Sequence, residues 1–103
     1  MAILVLGTAA FAAGDWAAFG RYAEANKNVK QAPMLVIMGD SITDFWPNRT
    51  SSDFFNKNNI VGRGISGQVT SQMLVRFRRD VLDLKPKYVA ILAGTNDIAQ
   101  NQG

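Results

Sequence analysis

The sequence predicts an α/β fold in which helices cover both faces of a parallel sheet. Apolar segments of strand character lie at 34–38, 60–61 and 88–93, and helical patterns precede or separate them. The first and third are apolar throughout, which is typical of strands buried on both faces of a parallel sheet. The elements follow the order of βαβ units: strand, crossover, strand, helix, strand. This order predicts neighbouring parallel strands.

Composition limits the number of domains and the kinds of site. With 103 residues, 48% of them apolar and 18% charged, the chain has room for one small globular domain. It contains no cysteine, which excludes disulfides and thiolate metal sites within it, and no histidine. Imidazole is the usual general base near neutral pH and the commonest metal ligand, so these residues cannot supply either group through histidine.

The first residues have the character of an export signal. Residues 3–13 are apolar or small, too few to cross a bilayer as a helix, and end in the AxA-like pattern Ala10-Phe11-Ala12. No positively charged segment precedes them. We expect residues 1–13 to be a signal-peptide remnant and the protein to be exported, periplasmic or secreted, with a cytoplasmic location as the alternative.

The first helical pattern begins at Asp15, a residue type that caps helix N-termini. Apolar side chains then recur close to one helical face, at Trp16, Phe19, Tyr22 and Ala23. We expect a surface helix that packs on the sheet. Pro33 breaks the chain before the first strand.

The segment between the first two strands, 40–57, is predicted to be a polar turn and a short helix, and the second strand leads into a glycine-rich loop at 62–67. An amphipathic crossover helix follows, because apolar residues recur at helical spacing: Val69, Met73, Leu74, Phe77, Val81, Leu82 and Leu84. The polar positions between them are Arg76, Arg79, Asp80 and Asp83. Pro86 ends the helix before the third strand.

The net charge of +3 is spread along the chain, with one concentration at Arg76, Arg78 and Arg79. We interpret that concentration as a solvated helix face. Nucleic-acid binding would need a denser basic stripe interleaved with aromatic residues, so no nucleic-acid partner is expected.

Each predicted strand ends in a polar loop that contains glycine: Gly39-Asp40-Ser41, 64–67 and 94–97. The carboxyl ends of neighbouring parallel strands meet at one edge of a sheet, where ligands bind in such folds. A serine directly after a buried strand has its hydroxyl at that edge. Asn96 offers a neutral hydrogen-bond donor suited to an oxyanion. An asparagine that satisfies a turn, and an Asp97 that caps whatever follows it, are the simpler interpretations.

The glycine loop also fits GxGxxG at Gly62, Gly64 and Gly67, a pattern of dinucleotide sites. In a Rossmann unit the motif follows the first strand, and an acidic residue ends the next strand. Here Asp80 and Asp83 fall inside the crossover helix instead. A flavodoxin-like nucleotide binder is therefore kept only as a minor alternative.

Three segments together carry a more specific signal. The runs 36–43 (VIMGDSIT), 59–67 (NIVGRGISG) and 94–97 (GTND) closely resemble the first three sequence blocks of SGNH hydrolases, the GDSL-like lipases and acylhydrolases, in order and spacing. The resemblance covers about residues 33–103. It implies that 14–103 are the N-terminal part of a single SGNH domain, a flavodoxin-like three-layer α/β/α sandwich truncated to about its first three strands.

The resemblance also implies an activity and a site. Ser41 would be the nucleophile of a serine esterase, and the Ser41 N–H, the Gly67 N–H and the Asn96 side chain would form the oxyanion hole, with Gly39, Asp40 and Thr95 in support. No metal or organic cofactor would be needed. The expected substrate is a small acyl ester, with an O-acetyl group on a carbohydrate as the favoured example, hydrolysed through an acyl-enzyme.

The family's fourth block, an Asp and a His three residues apart, does not occur in these 103 residues. We expect this chain alone to have little or no esterase activity, because nothing in it is placed to take the proton of Ser41. In the family's strand order, 2-1-3-4-5, residues 88–93 would form an exposed apolar edge through which the chain associates with itself. A non-catalytic module that binds a carbohydrate or phosphate at the same edge is the main alternative.

Overall fold

A computed structural model describes residues 14–99, so the proposed signal-peptide remnant at 1–13 lies outside the described residues. In chain order, the helices are α1 (Gly20–Lys27), α2 (Ser41–Phe45), α3 (Ser52–Lys57), α4 (Thr70–Asp80) and α5 (Thr95–Ile98). The strands are β1 (Leu35–Gly39), β2 (Ile60–Gly64) and β3 (Tyr88–Leu92). A π-helical turn, Trp46–Thr50, joins α2 to α3, and a 3₁₀ turn, Leu82–Leu84, follows α4.

The three strands form one parallel sheet in the order β2-β1-β3. Gly39, the last residue of β1, pairs with the last residues of both neighbours, Gly64 and Leu92. The predicted α/β fold with a parallel sheet is therefore confirmed, and all three strands end at the same level.

The two faces of the sheet are covered by different helices. Val36 and Met38 point to one face and form the main core with three residues from α4 and the turn after it, Met73, Val81 and Leu84. Side chains alternate along a strand, so Ile37, also buried, points to the opposite face. That face is covered by α2, the π-helical turn and α3, which contact β2.

Helix α1 begins five residues later than predicted, at Gly20 rather than Asp15. Asp15 does cap it: Phe19 N donates to Asp15 Oδ1 at 2.8 Å, and Gly20 N donates to Oδ2 at 3.0 Å. Ala18 has a left-handed backbone with φ of 62°, which interrupts any helix from Asp15 onward. Trp16 therefore lies outside the helix.

Strand β2 includes half of the segment predicted as a glycine loop. Gly62 and Gly64 lie in the strand. Both positions need glycine because α2 and the π-helical turn approach the strand closely. A Cβ at Gly62 would lie 2.6 Å from Pro47 Cγ, and a Cβ at Gly64 would overlap the backbone of Thr43 and Asp44. Close packing of the helical layer explains these two glycines without a bound nucleotide.

Helix α4 presents a different face to the core than predicted. Arg76 and Asp80, expected on the polar face, are completely buried, whereas Leu74 is 76% exposed. The buried positions between 69 and 84 are 69, 73, 76, 80, 81 and 84, a helical stripe that includes the two charged residues. Arg78 and Arg79 are exposed, as expected.

Strand β3 leaves large apolar side chains in solvent. Tyr88 and Ile91 are each 58% exposed and Leu92 is 48% exposed. A groove of about 540 Å³ runs between β3 and α4, lined by residues that include Met38, Phe77 and Ile91. The longest helix in the described part of the chain has 11 residues, and no helix there is long and apolar enough to cross a membrane.

Candidate active site

The carboxyl edge of the sheet brings together the three loops predicted to form a site. Because Gly64, Gly39 and Leu92 are in register, the segments that follow them leave the sheet side by side. Ser41 is the first residue of α2 and is half-buried, Gly67 lies in the exposed turn after β2, and Asn96 is the half-buried second residue of α5.

The turn from β1 into α2 is tight. Asp44 N donates to the carbonyl of Asp40 at 2.8 Å, so the helix starts immediately after the strand. A Cβ at Gly39 would lie 2.7 Å from the Leu92 carbonyl oxygen and would overlap Thr43. Only glycine at position 39 allows α2 and the end of β3 to lie this close to β1. The next residue, Asp40, is buried, with 5% of its surface exposed. Ser41 is held at the sheet edge by this short connection.

The loop after β2 is held by Asp44. Ser66 donates to Asp44 Oδ2 from its backbone N at 2.9 Å and from its Oγ at 3.0 Å. Arg21 in α1 forms an ion pair with the other carboxylate oxygen of Asp44 at 3.0 Å. Gly67, next in the chain, has a φ of 81° with open space where a side chain would be, so its backbone is accessible from solvent.

The loop after β3 is joined to the loop after β2. Asn96 Nδ2 donates to the backbone carbonyl of Gln68, the neighbour of Gly67, at 3.0 Å. A carboxamide nitrogen has two N–H donors, and this bond uses one of them. The bond therefore holds Asn96 against the residue that follows Gly67. Thr95, predicted to support them, begins α5 and is exposed.

Asp97 caps a helix, but the helix is α4 rather than one that follows it. Thr70 donates to Asp97 from its backbone N at 3.0 Å and from its Oγ1 at 2.7 Å. The hydrogen bond from the Thr70 side chain lowers the pKa of Asp97 below its usual value. Asp97 is therefore a capping residue, as predicted, but the capped segment is not the predicted one, and the cap connects the loop after β3 to the start of the crossover helix.

A buried charged group lies beneath these loops. The Arg76 guanidinium donates from Nε to Gln68 Oε1 at 2.7 Å, from Nη1 to Asp80 Oδ2 at 3.1 Å and from Nη2 to the Gly39 carbonyl at 3.4 Å. Burial lowers the pKa of Arg76, and the hydrogen bond and charge of Asp80 oppose that shift. Arginine nevertheless stays protonated in proteins, so the buried group is an ion pair.

The structure thus places Ser41, Gly67 and Asn96 on adjacent loops, together with Gly39 and Asp40. Sequence reasoning missed three polar residues of this region: Asp44, Gln68 and Arg76. A signal was present, because Arg76 and Asp80 fall at i and i+4 on the same helical stripe as Val69 and Met73. Within residues 14–99, no cluster of three or more side chains of metal-ligating type is formed.

Known proteins are similar to this chain in sequence and in fold. The model of the GDSL-like lipase/acylhydrolase family matches residues 37–103. A crystal structure of a protein assigned as an acylhydrolase, from Bacteroides fragilis, has a TM-score of 0.79 and 49% identity over 85% of this chain and 44% of that one. A GDSL-like lipase from Bacteroides thetaiotaomicron has a TM-score of 0.73 and 48% identity over 84% of this chain and 44% of that one.

A shorter match is to the uncharacterized lipoprotein YqeF of Bacillus subtilis, 55% identical over 40 residues, which are 39% of this chain and 16% of that protein. The chain spans less than half the length of each of these relatives. The family match covers well over half of the chain and includes all three loops at the carboxyl edge of the sheet. The chain belongs to the GDSL-like lipase/acylhydrolase family.

Proposed function

We propose that the protein is a serine ester hydrolase in which Ser41 is the nucleophile. The observation that carries the proposal is the in-register ending of the three strands, which brings the Ser41, Gly67 and Asn96 loops to one edge. The hydrogen bond from Asn96 to the Gln68 carbonyl holds two of these loops against each other. A hydroxyl beside a peptide N–H and a carboxamide is the set of groups that acyl transfer uses.

In the proposed reaction, Ser41 Oγ attacks the carbonyl carbon of the ester and gives up its proton to a base. The carbonyl oxygen becomes an oxyanion, which accepts hydrogen bonds from the N–H groups of Ser41 and Gly67 and from the Asn96 side chain. The tetrahedral intermediate collapses with loss of the alcohol, which takes the proton from the base. Water then attacks the acyl-enzyme by the same route, releasing the acid and Ser41.

The proposed reaction needs a base, and these 103 residues contain no histidine to act as one. We propose that it is contributed from outside them and that the 103-residue chain alone has little or no esterase activity. Without a base, a serine hydroxyl is a weak nucleophile at neutral pH.

The proposed substrate is a small acyl ester, with an O-acetylated carbohydrate as the favoured class. The family assignment supports ester hydrolysis in general, and the names of the two Bacteroides relatives, an acylhydrolase and a lipase, are of the same kind. The Bacillus relative is named a lipoprotein. That name and the apolar start of the sequence support our proposal that the protein is exported, periplasmic or secreted.

The absence of histidine favours one alternative, a non-catalytic module that binds a carbohydrate or phosphate at the same edge. The nucleotide-binding alternative has less support, because Gly62 and Gly64 are in β2, packed against Pro47 and Thr43. Reaction with a fluorophosphonate distinguishes an esterase from both alternatives.

The proposal is tested with the protein expressed from its complete gene and p-nitrophenyl acetate as substrate. Ser41→Ala should abolish turnover, and Asn96→Ala should lower kcat by about 100- to 1000-fold with a smaller change in KM, because Asn96 acts on the oxyanion. Ser52→Ala, an exposed serine on α3, is the matched control and should retain full activity. Full turnover by the Ser41→Ala variant would rule out the proposed nucleophile.

A further inference from the structure

One buried side chain contacts two of the loops that carry the proposed site. Arg76 Nη2 donates to the carbonyl of Gly39, two residues before Ser41, and Arg76 Nε donates to the side chain of Gln68, directly after Gly67. The third loop is attached at the same point, because Asn96 Nδ2 donates to the Gln68 carbonyl. Arg76 therefore contacts two of the three loops directly and is connected to the third through Gln68.

The contacts of Arg76 are held in place from both sides. Gln68 is 4% exposed, and its Nε2 donates to the Ala17 carbonyl at 2.8 Å, which fixes the orientation of the amide that Arg76 contacts. Asp80 accepts from Arg76 and also from Asn26 Nδ2, at 2.8 Å. The planar guanidinium suits this arrangement, since it presents several donors in a fixed geometry.

Stability alone is a weak reason for such a group. Removing two charges from water costs free energy, and a buried ion pair replaced by neutral residues of similar size is often tolerated. What distinguishes Arg76 is the direction of its remaining donors, which point to the end of β1 and to the start of the crossover rather than to solvent.

We propose that Arg76 is a positioning residue, which through Gly39 and Gln68 sets the relative placement of the Ser41 hydroxyl, the Gly67 N–H and the Asn96 carboxamide. This inference rests on the proposed esterase function of that edge. Arg76 touches no substrate and acts only through these residues.

Two variants of the protein expressed from its complete gene test the inference. The double variant Arg76→Met/Asp80→Asn removes both charges with little change in volume, so it avoids leaving Asp80 buried without a partner. Arg76→Lys keeps the charge opposite Asp80, but a single ammonium cannot reproduce the fork that reaches Gly39 and Gln68. Arg63→Met is the control, since Arg63 is also buried but bonds to Asn26 and the Gly62 carbonyl.

In the folded double variant and in Arg76→Lys, we expect kcat for p-nitrophenyl acetate to fall on the order of 100-fold with KM changed much less, as expected for misplacement by about 1 Å. Arg63→Met should keep its kcat. If both Arg76 variants fold and retain the wild-type kcat, the inference is wrong.

A second readout does not depend on activity. The side-chain ¹⁵NH₂ signals of Asn96 and the amide signal of Gly67 should shift or broaden in both Arg76 variants, while the amide signals of Leu35 and Ile60, at the starts of β1 and β2, stay unchanged. If these signals move but the wild-type protein hydrolyses no ester, the proposed function fails and the positioning role stands. If the Asn96 and Gly67 signals are unchanged, the positioning role is overturned whatever the activity.

Discussion

Three glycines of β1 and β2 allow the helical layer to approach the sheet closely. Gly39, Gly62 and Gly64 all lie where a Cβ would collide with α2 or with the turn after it. Two of them, Gly62 and Gly64, also belong to the GxGxxG pattern of the sequence, because sequence alone does not show what a missing side chain makes room for. Only the contact with Pro47 and Thr43 distinguishes a packing glycine from a phosphate-binding one.

This interpretation predicts that Gly64→Ala lowers the free energy of unfolding by about 1–3 kcal/mol, the usual effect of overpacking a tight site. The measurement is the midpoint of urea denaturation. Gly20→Ala is the matched control, since its new Cβ would meet Asp15 Oδ2 at 3.4 Å, an ordinary contact, at the start of a helix. Equal stability of the two variants would contradict the packing interpretation.

Burial of Arg76 shows where residue-level prediction from this sequence failed. The helical period correctly indicated a core face on α4, but hydrophobicity placed Leu74 on it and excluded Arg76 and Asp80. The partners that satisfy Arg76 are a carbonyl in β1 and an amide eight residues before it, and they come together only in the folded chain. By contrast, the apolar runs before Ser41 and Asn96 correctly predicted that both residues lie shortly after a strand, at the carboxyl edge of the sheet.

At the scale of elements, the strands were predicted well and the first helix was not. Strand β1 lies one residue farther along the chain than its apolar run at 34–38, and β3 ends one residue before the end of its run at 88–93. Strand β2 extends to Gly64, beyond the apolar pair 60–61 that predicted it. The start of α1 was misplaced because Ala18 adopts a left-handed backbone that nothing in its residue type predicts. Capping by Asp15 was correctly predicted, although the capped residues lie farther along the chain.

The hydrogen bonds between Thr70 in α4 and Asp97 in α5 should make the stability of the fold depend on pH. Hydrogen bonds from Thr70 depress the pKa of Asp97 in the folded state, so the carboxylate stabilises the fold above its unfolded pKa. That contribution is lost as the pH falls through the lower, folded pKa. We therefore expect part of the loss of stability between about pH 5 and about pH 2 to depend on Asp97.

Urea unfolding of Asp97→Asn over this pH range provides the check. The variant should be less stable than the wild type at neutral pH, and the difference should shrink as the pH falls. Asp83→Asn, at an exposed aspartate in the 3₁₀ turn, should leave the pH dependence unchanged. A constant difference between Asp97→Asn and wild type at every pH would refute the assignment.

At the scale of the whole molecule, the described residues 14–99 form an apolar surface from the exposed strand β3 and the groove beside it. Strand edges with unpaired backbone groups and apolar side chains favour pairing with another chain. We predict that the 103-residue chain associates with itself in a concentration-dependent way and that it is only marginally stable. Sedimentation velocity over a wide range of concentrations measures the association.

Ile91→Lys should shift the chain toward monomer, because it places a charge on β3. Leu82→Lys should leave the association unchanged, because Leu82 is 44% exposed but lies in the 3₁₀ turn, outside β3. A wild-type chain that is monomeric and melts sharply at a temperature independent of concentration would show that β3 is not a self-association edge.

The nucleophile is the claim on which the whole account depends, and covalent labelling tests it most directly. Trypsin releases residues 31–49 as a peptide in which Ser41 is the only serine. After reaction of the protein expressed from its complete gene with a fluorophosphonate, mass spectrometry should find the adduct on that peptide, at Ser41. An adduct on another peptide, or none on an active and folded protein, would contradict the assignment of Ser41 and the esterase mechanism built on it.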